Sequence, residues 1–371
     1  RVSRCRMMEK GKISNKQLIF TFLTSRLMLT MAYLSFVNAP SWNQDLWISG
    51  IVAFPLHILL VLPVFFLIKR FPNMSIIESA EAVLGFAGKL IGILYVWFFI
   101  HQTSTILREM GEFLTAALYP ETPITVFIVT TTLFAAYAII KGLETICRVG
   151  EIIAPIILAS IVSVFFMVAR DIDIYALTPV LEDGILPVIY GGVVTSARTT
   201  FSLFLWMLNP NINNPEKIWI YIFVLFLVIM LIFIPTAIAT VGVFGLEQAK
   251  ALNFPFYHLV RIISIGSFLE RIDALFVSLW ILGMFLHTAI HYYLAVLSTA
   301  QFLKLSNYKP IVFAMGTVTV SLSMLQADSM IALNEFLSYR ILTWYYLLFT
   351  FFLPLVLLIV STFSKKGADF R

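Results

Sequence analysis

Two arginines, a pair of histidines and a cluster of hydroxyls stand inside stretches that are otherwise apolar. Arg198 lies within PVIYGGVVTSARTTFSLFLWMLNP (187–210), a segment of membrane-span length, surrounded by Thr195, Ser196, Thr199 and Thr200. Arg26 lies in the middle of an earlier apolar run. A charge at bilayer depth costs on the order of a few to ten kcal/mol or more, so such a side chain faces a partner or a wet cavity and marks a functional site by default. A guanidinium offers two parallel N–H donors that match the two oxygens of a carboxylate, and nearby hydroxyls can orient the rest of a small polar molecule. Glu109, Glu112, Glu151, Glu270 and Asp273 all fall near the ends of apolar runs, so the sequence predicts no acid beside either arginine and leaves the anion to a ligand. The competing reading is structural, with Arg198 bonding backbone carbonyls or a distant acid and holding helices together.

The segment FLHTAIHYYLAV (285–296) adds His287 and His291, one helical turn apart on one face, with Thr288 and Tyr292 on the adjoining stripe. An i,i+4 histidine pair can ligate a metal, but the Glu of a zincin motif and a third ligand are both missing, so cavity lining is the favoured role. In a third run, Tyr95, Phe98, His101 and Gln102 share one side at helical spacing, and an amide at this depth wants a partner. Arg108, Glu109 and Glu112 follow at its outer end, where a structural ion pair or a gate is expected. The predicted ligand contacts are therefore Arg26, Thr30, Phe98, Gln102, Thr195, Arg198, Thr199, Thr200, His287 and His291. No nucleophile–base set, metal site or cofactor motif occurs at a usable spacing, which argues against an enzyme.

The elements that must position these residues are transmembrane helices. Of 371 residues, 60% are hydrophobic and 12% charged, and no soluble domain of that size hides so much apolar surface from water. Ten apolar runs reach the roughly 20 residues a bilayer requires, near 17–36, 46–68, 88–107, 124–141, 151–169, 186–208, 216–244, 272–298, 309–326 and 341–363. They are too long and too continuously apolar for barrel strands. The expected organisation is a cytoplasmic tail at 1–16, one ten-span membrane domain at 17–363 and a cytoplasmic tail at 364–371. The loops on the side of the termini hold 17 Lys and Arg against 6 on the other side, which places both ends in the cytoplasm. The net charge of +5 thus belongs to a membrane surface and not to a nucleic-acid partner. Cys5 and Cys147 give neither a disulfide framework nor a metal-ligand spacing.

If the ten spans form two inverted sets of five, Arg26 in the first and Arg198 in the sixth occupy corresponding elements, where transporters of this kind interrupt their helices and bind substrate at the midplane.

The loops carry more specific information. NQDLWISGIV (43–52), KRFPNMSIIESAEAVLGFAGKLIG (69–92), LREMGEFL (107–114), ETPITV (121–126), KGLETICRVGEIIAPI (141–156) and LTPVLEDGILPV (177–188) together resemble the spore germination permease family, the B-type membrane subunits of endospore germinant receptors. The resemblance implies a member of the amino acid–polyamine–organocation superfamily with a leucine-transporter-like 5+5 inverted repeat, discontinuous first and sixth spans, and a pocket between spans one, three, six and eight. It also implies binding of a small germinant such as an amino acid, partnership with an A-type subunit and a C-type lipoprotein, and residence in the bacterial inner membrane of the cell or spore. A secondary transporter of amino acids or organic anions is the alternative function. Two departures stand out. The family commonly has a glycine-containing break in its first span, but this chain has no glycine between Gly11 and Gly50 and would open through Ser25 and Thr30. Its sixth span reads TSARTTFSLFLW where a Gly followed shortly by Glu is common. Arg198 in place of that acid reverses the local charge preference and implies either a ligand other than a zwitterionic apolar amino acid or a weakened pocket.

Overall fold

The structure is a computed structural model that describes residues 13–32, 43–212, 217–263 and 272–364. Among these residues it is all helical, with no strand and a single bridge between Ile13 and Ile212. The first half contains α1 (Asn15–Ala32), α2 (Leu46–Arg70), α3 (Ile76–Leu84), α4 (Gly88–Ala117), α5 (Ile124–Lys141), α6 (Leu143–Val168), α7 (Ile185–Ala197) and α8 (Phe201–Met207). The second half contains α9 (Ile218–Phe244), α10 (Leu246–Ala251), α11 (Pro255–Ile262), α12 (Ile272–Phe302), α13 (Val312–Leu325), α14 (Met330–Phe336), α15 (Tyr339–Leu347) and α16 (Leu353–Phe363).

Eight of the described helical segments are long and apolar enough to cross a bilayer. The two remaining expected spans are weaker by that measure. The described part of the first, α1, is 18 residues long and carries Lys16 and Arg26, and the ninth is a short apolar helix over Lys309–Leu325. The third span is longer than expected: α4 runs 30 residues, about 45 Å at 1.5 Å per residue, and carries its acidic end well inside the bundle.

Segment 185–207 is the most deeply buried of the eight and is broken in the middle. Between α7 and α8 the helix is interrupted: Arg198 ends α7 with right-handed dihedrals (φ −72°, ψ −7°) and Thr200 (φ −85°, ψ 10°) leaves the helical region before α8 begins. A run of hydroxyls borders the break. Thr195 donates to Gly191 O (2.9 Å), Ser196 to Gly192 O (2.7 Å) and Thr199 to Thr195 O (3.1 Å), and such back-bonding competes with the helical ladder. Thr199 N then bonds Ser196 O, the tighter i−3 pattern that ends a helix. His57 of α2 donates from Nδ1 to the same Ser196 carbonyl (3.4 Å) while stacking on Phe226, so a backbone group at the break is satisfied inside the protein.

The expected interruption of the first span does not occur within Asn15–Ala32, where α1 is one continuous helix. With neither Gly nor Pro there, nothing frees a backbone group for a break. Residues 33–36 of the expected span lie outside the described residues. Close packing fixes α1 instead. A Cβ on Gly150 of α6 would sit 2.7 Å from Thr21 Oγ1 and 3.0 Å from Thr21 Cα, so only glycine lets α1 approach this closely. Gly283 of α12 does the same for Met28. The N-terminal end of α4 is braced by α3, whose capping box pairs Ser75 with Glu78 and whose Ser75 hydroxyl also donates to Gln301 of α12 (2.6 Å).

Candidate functional site

The broken helix, α1, α4, α9, α12 and α15 line a cavity of about 40 Å3. That is room for roughly three waters, at ~10–15 Å3 each. Its polar wall comes from Ser25 and Arg26 on α1, Gln102, Thr105 and Glu109 on α4, Arg198, Thr199 and Thr200 at the break, His287 and His291 on α12, and Tyr346 on α15. Phe22, Ile106, Phe201, Phe204, Leu225 and Ile229 supply the apolar remainder.

Seven of the ten predicted contacts therefore meet in one chamber: Arg26, Gln102, Arg198, Thr199, Thr200, His287 and His291. Phe98 does not line it. One turn before Gln102, it packs against Tyr345, Tyr346 and Phe349 beneath the chamber. Thr195 is also outside the lining, buried within α7 with its hydroxyl on Gly191 O. The side chain of Thr30 lies outside the described residues.

The sequence reading put no acid beside the arginines, and the structure corrects it. Glu109 is buried, lines the same cavity and lies within electrostatic reach of both guanidinium groups. The two arginines also feel each other. Fully ionised, these three residues sum to one net positive charge. The neighbouring acid has a different fate, because Glu112 takes Arg108 in a buried i,i+4 ion pair (2.6 Å). The motif LREMGEFL thus splits its charges between a structural pair and the chamber.

Hydroxyl and imidazole groups complete the wall. The Ser25 hydroxyl and His287 Nδ1 are hydrogen-bonded, and His291 Nδ1 donates to His287 O (2.8 Å). In a neutral imidazole that bond leaves His291 Nε2 as an acceptor. The two rings lie 4.3 Å apart, and Phe204 meets His291 edge-on at 4.6 Å. His287 Nε2 is buried and has no hydrogen-bond partner among the described residues. His291 Nδ1 is engaged by a backbone carbonyl, and among the described residues no group of three His, Cys, Asp or Glu is placed to hold a metal ion.

Two contacts close the chamber toward α13 and α15. Tyr346 donates to Gln102 Oε1 (2.9 Å) and its ring lies 6.0 Å from the Arg198 guanidinium carbon. Gln326, at the end of α13, donates to Thr105 Oγ1 (2.8 Å) and contacts His101 Nε2 (2.9 Å). The five-residue π-turn Leu348–Phe352 follows Tyr346 and joins α15 to α16. Ser25, His57, Glu109 and Tyr346 were not among the predicted contacts. Glu109 had a signal, its four-residue offset from Thr105 and seven-residue offset from Gln102 on one helical face.

A multi-pass helical membrane protein, with a buried polar chamber at a broken central helix, is the class that fold and site define. Residues 12–331 match the family model described as spore germination protein, and the chain belongs to that family. It is 28% identical to spore germination protein KB of Bacillus subtilis (strain 168) over 98% of each chain. It is 26% identical to spore germination protein YndE of the same organism over 89% of this chain and 91% of that one. Among solved structures it resembles Mhp1, a nucleobase-cation-symport-1 family transporter, in a closed conformation with bromovinylhydantoin bound, with a TM-score of 0.64 over 88% of this chain and 75% of that chain. At 14% sequence identity that likeness is one of fold. The relatives are spore germination proteins, and the fold resembles that of a transporter.

Proposed function

We propose that this chain is the germinant-sensing membrane subunit of a spore germinant receptor. A small ligand bearing an anionic group enters from outside, meets Arg198 and Arg26 in the chamber, and closure around it triggers germination. The observation that carries this reading is the convergence of two guanidinium groups on one buried chamber at the break of the central helix. His287, His291 and Gln102 supply hydrogen bonds, and the aromatic and aliphatic wall excludes water. Sensing needs only a ligand that binds one of two conformations better than the other. The chamber holds roughly three waters, so entry requires the surrounding helices to part.

In the same reading the chain has ten spans in a 5+5 inverted repeat, over residues 17–363, with tails at 1–16 and 364–371 in the cytoplasm. It resides in the bacterial inner membrane and works with A-type and C-type receptor subunits. The charge bias of the loops supports the orientation.

Secondary transport is the second reading, favoured by the likeness to a transporter fold. A thermal-shift screen of the purified chain against amino acids, sugars and organic acids identifies the ligand, and proteoliposomes then separate the readings. Sensing predicts saturable binding of labelled ligand with no accumulation in the lumen. Accumulation against a gradient by this chain alone contradicts it.

A further inference from the structure

The chamber's carboxylate has no task in the mechanism above, yet it faces both cations. Glu109 is 3% exposed, shares its cavity with Arg26 and Arg198, and acts electrostatically on each. The three charges belong to three elements: Glu109 to α4, Arg26 to α1 and Arg198 to the break between α7 and α8. Glu112, three residues on, is committed to Arg108, so the two acids of this turn are not interchangeable.

We propose that Glu109 is a built-in competitor for the arginines, and that a ligand carboxylate binds by taking its place and so unties α4 from α1 and the broken helix. The inference rests on the chamber being the ligand site and supplies the link from occupancy to movement. Its grounds are chemical and steric. A glutamate side chain and a ligand carboxylate present the same acceptor geometry to the same guanidinium donors. The space that remains, about 40 Å3, holds roughly three waters and leaves little room for a second carboxylate beside the first. Two carboxylates crowded into one poorly solvated site also repel each other, so occupancy by one favours departure of the other. A neutral ligand of the same shape brings no charge to replace Glu109 and leaves the tie intact. In this proposal Glu109 acts both as a lock on the three helices and as a filter for anions.

The test uses the purified full chain in detergent, with propionate as probe and propionamide as its neutral counterpart, titrated by thermal shift. Glu109→Gln is expected to bind propionate at least about tenfold more tightly than the unaltered chain, because one competing charge is removed. Propionamide is expected to gain nothing. Glu109→Asp, with its carboxylate drawn back by one methylene, is expected to fall between the two. Equal or weaker propionate binding by Glu109→Gln overturns the proposal. Should that variant fail to fold, equal or weaker binding by Glu109→Asp does the same. Arg198→Gln separates the two levels of the argument: if it abolishes propionate binding while neither Glu109 variant tightens it, only the competitor is wrong. If propionate binds every variant alike, or binds none, the chamber itself is wrong as well.

Discussion

Arg108→Met is expected to destabilise the protein severely, and adding Glu112→Leu is expected to restore most of the loss. The pair is made at 2.6 Å between side chains that are 5% and 11% exposed, so neither charge has water to fall back on. Removing one partner of a buried ion pair costs roughly 3–5 kcal/mol because the other charge is left uncompensated, whereas replacing both with apolar side chains of similar volume is often neutral or stabilising. At about 2–4 °C per kcal/mol for domains of 150–250 residues, and less for larger ones, the single change should lower the melting temperature by roughly 5–15 °C. Melting of the detergent-purified single and double variants measures the coupling directly. A single variant within about 2 °C of the unaltered chain, or a double variant as unstable as the single one, refutes the division of labour between Arg108–Glu112 and the chamber charges.

Gly150→Ala should move α1 rather than unfold it: the new Cβ would lie 3.0 Å from Thr21 Cα, short of the 3.4 Å at which ordinary contact begins, so α1 must retreat by about 0.4 Å. The variant is expected to lose roughly 1–3 kcal/mol of stability and to show weaker ligand binding, because Ser25 and Arg26 ride on α1; unchanged melting and binding would count against the close packing. His287→Ala and His291→Ala are expected to change the order of ligand preference in the thermal-shift screen while the receptor still assembles. An unaltered order in both removes α12 from the binding wall.

Much of this arrangement was legible because the bilayer restricts what a polar residue can mean. Arg198 amid threonines announced a polar site, the inverted-repeat placement and the family resemblance implied an interrupted sixth span, and the structure breaks the helix at 198–200. His287, His291 and Gln102 were readable for the same reason. Glu109 was misread because an apolar window ends the third span at 107, where its charges begin, whereas α4 continues to Ala117 inside the bundle. Hydropathy marks where apolar character stops, and here the protein interior continues past that point. Phe98 and Thr195 show the limit of face-counting: each is near a cavity-lining residue in sequence, but the aromatic packing against α15 and the Thr195 hydroxyl's turn back onto its own helix keep them out of the cavity. His57 gave no signal, since its use depends on α2 lying beside the break.

The central claim is that the ligand's anionic group is held by the arginines at the broken helix. Spores carrying Arg198→Gln, with the receptor present at its usual level, should need about a hundredfold more germinant for half-maximal response, the scale of losing a two-point charge-assisted contact. A dose–response curve superimposable on that of spores with the unaltered chain would contradict the account.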